Sequence, residues 1–174
     1  MAWEIDPMHS TVEFSVRHLM INTVKGHFPN VRGTIHLDPK YPELSWVKAQ
    51  VEAASISTFA PQRDAHLRSA DFFEVARYPT ITFESTLIKP VSPNRCYLNG
   101  NLSLHGQTRP VTFAVEYTGH NRDMYTDAWR IGLSAVTVID RRQFGITYNP
   151  EYVGGGLIIG NEVRIEIHVE AVQS

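Results

Sequence analysis

The chain has 174 residues, of which 43% are hydrophobic and 20% charged, and its net charge at pH 7 is −2. That length predicts one domain over residues 1–174, and the supply of aromatic and β-branched residues excludes a disordered chain. The small negative charge offers no basic face to nucleic acid, and no run of about 18 apolar residues is present to cross a membrane as a helix.

The opening MAWEIDPMHS carries acidic residues and no apolar stretch. It predicts no secretory signal and hence a cytoplasmic chain, although a trimmed periplasmic form would read the same. From there the dominant pattern is period-2 alternation, the mark of a strand with one wet face. Val12, Phe14 and Val16 alternate with Glu13, Ser15 and Arg17, and Val31, Gly33, Ile35 and Leu37 alternate with Arg32, Thr34 and His36. A turn is expected at Pro39–Pro42, after which Val47, Ala49, Val51 and Ala53 resume the rhythm. Residues 61–73, PQRDAHLRSADFF, lack β-branched side chains and predict one short helix, with Ser57 or Thr58 as its cap. Ile81 and Phe83 follow, then a turn over Lys89–Asn94, then Leu98, Leu102 and Leu104. Turns at Gly106–Pro110 and Gly119–Asp123 flank Val111, Phe113, Val115 and Tyr117. The pattern closes with Val163, Ile165, Ile167 and Val169.

About eight antiparallel strands result, each apolar on one face. Such a sheet must hide that face by folding into a sandwich or closing on itself. Strands of roughly 35–40 Å favour closure, so the expected fold is all-β, an eight-stranded antiparallel barrel with the helix near one end. The inward positions would be Phe14, Val16, Phe28, Ile35, Val51, Phe83, Leu104, Phe113, Ile131, Leu133 and Ile165, none of them charged. A tube of that kind suits a hydrocarbon, since each buried CH₂ contributes about 0.8 kcal/mol. The plainer alternative is a barrel packed solid by its own side chains.

The polar motifs carry less. His27 and His36 fall on opposite faces if their strand is unbroken, no HExxH or CxxC spacing occurs, and Cys96 is alone, so no metal site is expected. The string Gly132-Leu-Ser134-Ala-Val136 lacks the second glycine of a nucleophile elbow and sits in a strand pattern. Gly154, Gly155 and Gly156 lack the Lys-Ser/Thr of a phosphate loop and read as a loop at the barrel rim. Asn101-Leu-Ser103 matches a glycosylation acceptor, which has no meaning without a secretory route. The densest cluster is Arg63, Asp64, His66, Arg68 and Asp71. Its plain reading is a solvated helix with an Asp64–Arg68 pair; its functional reading is an anionic head-group site, for which arginine's fork is suited. Asp140, Arg141 and Arg142 carry the same two readings.

Five ordered blocks resemble the YceI-like family. They are Trp3–Asp6 with His9-Ser10 and Phe14–Leu19; Val24–Phe28 with Gly33; Gln62–Phe73 with Tyr78–Phe83; Gly100–Val111; and Ile139–Arg141 with Phe144–Ile146. The resemblance implies an extended lipocalin-like barrel that binds polyisoprenoid chains, such as an octaprenyl diphosphate or a quinone tail. It implies no catalysis and no cofactor, and a possible homodimer. Met20 stands where glycine is frequent in the family, and Gln143 where an acid is frequent.

The expected protein is therefore a non-enzymatic binder, store or carrier of a long-chain isoprenoid lipid. Phe14, Val16, Phe28, Phe83, Leu104, Phe113, Ile131 and Leu133 would contact the chain, and Arg63, His66 and Arg68 the head group. Two rival readings are a lipid-modifying enzyme using Asp64, His66 or Asp140, and a stress-response interaction module with incidental lipid.

Overall fold

Alternating apolar positions give strands most of which pair with their neighbours in sequence. The computed structural model describes residues 1–150 and 158–174. Its strands are β1 (Ala2–Ile5), β2 (Thr11–His18), β3 (Asn22–Pro29), β4 (Arg32–His36), β5 (Trp46–Glu52), β6 (Thr80–Ser92), β7 (Arg95–Leu104), β8 (Gln107–Arg122), β9 (Trp129–Asp140) and β10 (Ile159–Gln173). The helix α1 (Pro61–Arg68) lies between β5 and β6. The sheet order is β1-β4-β5-β6-β7-β8-β9-β10-β2-β3, and an additional β1–β10 pairing closes it.

Ten strands make eight courses. Long β10 pairs on one side with β9, and on the other with β2 along 159–168 and β1 along 171–173. So β1 and β2 are one course broken at residues 6–10, and β3 and β4 are another broken at Asn30 and Val31. The result is a closed, eight-stranded, up-and-down antiparallel barrel of lipocalin type, as expected.

The first break follows Asp6-Pro7, where the Asp6 carboxylate accepts the Met8 N–H at 2.9 Å and turns the chain. At the second, Asn30 adopts a left-handed φ of 63°. That extra residue shifts the parity, so buried Phe28 and Val31 both face inward. His27 and His36 consequently both lie on the outer face, against the expectation for an unbroken strand. His27 stacks near Phe59 and His36 on Trp46.

Three expected turns are narrower or misplaced. β6 runs on to Ser92, so only residues 93 and 94 turn. The β7–β8 turn is His105-Gly106 alone, with φ of 51° and 72°, the pair of positive values a tight hairpin needs. Gly119 lies within β8 at a bulge, and the hairpin tip is residues 123–128.

The helix is also shorter than 61–73. It ends at Arg68 because Ser69 turns extended, and the next backbone bonds are turns, Phe72 N–H to Ser69 O and Phe73 N–H to Leu67 O. This turns both phenylalanines toward the core. Neither Ser57 nor Thr58 caps it: the N-cap is Ala60, with no side-chain bond, followed by Pro61. The glycine run 154–156 lies outside the described residues.

Candidate functional site

The inward faces of the eight courses enclose a cavity of about 250 Å³. Phe14, Val16, Phe28, Phe83, Leu104, Phe113 and Leu133 line it, as do Ile35, Val51 and Ile165. Ile131 is buried, at 4% exposure, but packs with Trp3, Ile5 and Ala171 and is not in the cavity wall. Phe14 and Phe28 stand with ring centres 5.7 Å apart, and Phe28 meets Phe73 edge-on at the same distance. Further along, Phe83 and Phe113 form a second edge-on pair at 5.2 Å.

Period-2 reasoning missed the lining supplied from outside the strands: Leu67, Phe72 and Phe73 from α1 and the turn after it, and Phe144 and Ile146 from the segment after β9. It also missed Arg141. Among the described residues the cavity wall contains no Asp, Glu, His, Lys or Tyr; its polar members are Gln50, Thr82, Ser134 and Arg141.

Arg141 is 5% exposed. Its Nε donates to Gly160 O at 2.9 Å, and its Nη1 to Ile146 O and Tyr148 O at 3.0 and 2.9 Å. It makes no ion pair among the described residues. Burial pushes its pKa down, with nearby Asp140 opposing. Its head is thus spent on backbone carbonyls, tying the β9–β10 connection to the wall. Asp140 instead caps the one-turn 3-10 segment Arg141–Phe144 and pairs with Arg142 at 2.6 Å.

The three head-group candidates are likewise engaged by neighbouring groups, and none lines the cavity. Arg63 donates from Nε to the Thr58 hydroxyl and from Nη2 to Thr58 O, at 2.7 and 2.8 Å. Arg68 donates to Ala54 O and Ile56 O at 2.9 and 3.1 Å. His66 meets Asp71 at 2.8 Å, with its ring edge-on to Phe72 and Tyr148. The expected Asp64–Arg68 pair does not form. Buried Asp64 accepts instead from the Thr58 N–H and hydroxyl. Burial pushes its pKa up, but those two bonds, together with the nearby positive charges of Arg68 and Arg63, hold it below the ordinary value.

Two groupings have metal-ligating side chains close together, Asp6 with His9 and Glu170, and Glu13 with Glu166 and His168. In the first, both carboxylates already hold Arg130, at 2.7 and 2.8 Å. In the second, Glu166 holds Arg164 at 2.9 Å.

A closed meander barrel around an apolar tube defines a lipocalin-like binding fold. The chain belongs to the YceI-like domain family, whose sequence pattern matches residues 3–171. It is 38% identical over 138 residues to a UPF0312 protein of Azotobacter vinelandii, covering 79% of this chain and 71% of that one. A UPF0312 protein of Vibrio cholerae is 33% identical over 165 residues, covering 95% and 82%. Among solved structures, Burkholderia cenocepacia BcnA aligns with a TM-score of 0.82 at 21% identity over 95% of this chain and 98% of that one. The Campylobacter jejuni YCEI protein aligns at 0.76 and 25% identity, covering 91% and 90%. A polyisoprenoid binding domain from Saccharophagus degradans aligns at 0.70 with 14% identity, covering 99% and 98%.

Proposed function

We propose that the tube holds one long-chain isoprenoid lipid, polyprenyl diphosphate or quinone-like, which the protein binds, stores or carries without changing it. The observation that carries this reading is the continuous hydrocarbon lining, contributed by both broken and unbroken courses. Each isoprenoid CH₂ moved from water into that tube contributes about 0.8 kcal/mol. The fold shared with a domain described as polyisoprenoid binding supports the same class of ligand. Because the polar wall residues are few, and Arg141 is engaged by carbonyls, the polar head stays outside the apolar lining. The enzyme alternative has no observation in its favour: Asp64, His66 and Asp140 are each tied to a neighbour and none lines the cavity. A homodimer and a cytoplasmic setting belong to the same proposal, to be read from sedimentation velocity and cell fractionation.

Native mass spectrometry of freshly purified protein, with extraction and identification of what it carries, tests the reading. The expected result is a single isoprenoid or other long-chain lipid per chain. A bare chain that takes up no added polyprenyl lipid overturns it. Leu133→Arg places a charge on the wall and should abolish uptake; unchanged uptake by the folded variant removes the lumen as the site.

A further inference from the structure

We infer that Gly26 sets the bore of the tube and so fits it to a methyl-branched chain, an inference that rests on the lumen reading above. On β3, Gly26 is buried and shares the inward face with Phe28, and its cross-strand partner on β2 is Phe14. A Cβ placed on Gly26 would lie 2.3 Å from Phe14 Cζ, 2.7 Å from Phe14 Cε1 and 2.9 Å from Thr58 Cγ2. The phenyl ring therefore occupies the space any other residue's side chain would take. Gly26 is not among the positive-φ glycines, so its backbone does not demand glycine; the ring does.

With a methyl at position 26 something must move. Thr58 is pinned by Asp64 and Arg63, so the wall behind cannot give. The Phe14 ring must swing into the tube, toward Phe28, 5.7 Å away between centres. Gly100 accommodates the Phe83 ring in the same way, at 2.4 Å. There, however, the Glu84 carbonyl is also 2.5 Å from the added Cβ, so the sheet itself requires glycine. Gly26 isolates the effect of the ring. An isoprenoid carries a methyl branch on each unit and needs a wider tube than a straight chain, so a displaced ring excludes the branched chain first.

The test compares uptake of geranylgeraniol and stearyl alcohol by native mass spectrometry, for the parent protein, Gly26→Ala, Phe14→Leu, and both substitutions together. Gly26→Ala should weaken geranylgeraniol at least roughly tenfold relative to stearyl alcohol, the usual scale of overpacking, and Phe14→Leu should restore it in the double variant. A folded Gly26→Ala protein that keeps the parent's preference overturns the inference, as does equal loss of both alcohols without restoration. Should Gly26→Ala alone fail to fold, a folded double variant that takes up geranylgeraniol supports the inference, and a double variant that also fails overturns it. Parent protein that holds neither alcohol sinks the lumen reading itself, a different result from any of these.

Discussion

From β6 to β10 the barrel wall is continuous, with strands of 10 to 16 residues paired along nearly their whole length. From β1 to β4 the strands are 4 to 8 residues long, and two courses are interrupted. Among the described residues, the far side of β3 is met by one isolated bridge, His27 to Ser57. Side chains do there what the ladder does elsewhere. Arg130 reaches Asp6, Asp123 and Glu170, and Ser10 both donates to and accepts from the Glu170 backbone across the first break. The Thr58–Asp64–Arg63 knot and the Arg68 bonds to Ala54 and Ile56 hold α1 beside the gap. The polar side chains around the interruptions are thus committed to closure, Arg130 reaching in from β9, whereas the continuous wall is held chiefly by its ladder.

The contrast is sharpest at its exception. Arg141 belongs to the continuous half, yet four backbone carbonyls, of Ile146, Tyr148, Ile159 and Gly160, accept from it. Arg141→Met should cost roughly 4 kcal/mol in urea unfolding, because each orphaned buried carbonyl costs about 1–3 kcal/mol. A loss below about 1 kcal/mol would mean that water reaches those carbonyls. In the interrupted half, Asp64→Ala strips the Thr58 N–H and hydroxyl of their acceptor and should cost roughly 2–3 kcal/mol. Should it prove neutral, the knot is not what holds α1.

Acid attacks the same half. The Arg130 guanidinium holds the Asp6 carboxyl down from 3.8 to about 2, burial opposing and His9 and the Met8 N–H assisting. A folded-state pKa below the unfolded one stabilises the fold above the unfolded value and is lost as pH falls through the folded one. Stability should therefore drop by about 2 kcal/mol between roughly pH 4 and pH 2 from Asp6 alone. Asp123 shifts the same way, held down by the Tyr125 and Thr126 N–H groups and by Arg130. Arg130→Met should remove most of this acid step, as followed by thermal unfolding across that range.

The continuous half was also the more legible. Val111, Phe113 and Val115, or Val163, Ile165 and Ile167, declare a strand and its inward face because one side of the sheet is water and the other hydrocarbon. The lumen list followed from the same parity, and most of it stands in the cavity wall. The interruptions were far less legible, since left-handed Asn30 leaves only a change of parity between Phe28 and Val31 as its trace. Four-residue β1 is too short to show a rhythm. Arg63, His66 and Arg68 looked like a ligand site because sequence shows that charges cluster but not that nearby carbonyls and carboxylates already receive them. Arg141 was invisible as wall for the converse reason. Its acceptors at Ile146, Tyr148, Ile159 and Gly160 lie 5 to 19 positions along the chain and come together only in the folded protein.

The smallest expected effect tests whether the continuous half can dispense with its surface charges. Arg164 on β10 donates to Glu166 at 2.9 Å, with 51% and 38% of the two side chains exposed. The pair sits on the outer face, where β10 is already bonded to β2 on one side and β9 on the other. Its bond is in water, holds two long side chains in one geometry and is screened by salt, so it contributes little. Arg164→Ala should change the unfolding free energy from urea titration by less than about 0.5 kcal/mol, and Glu166→Ala likewise. The double-variant cycle should give a coupling no larger than that, shrinking further in high salt. A coupling above about 1 kcal/mol would place β10 among the segments that depend on side chains for closure. The division between a ladder-held and a side-chain-held wall would then fail at the strand that joins the two halves.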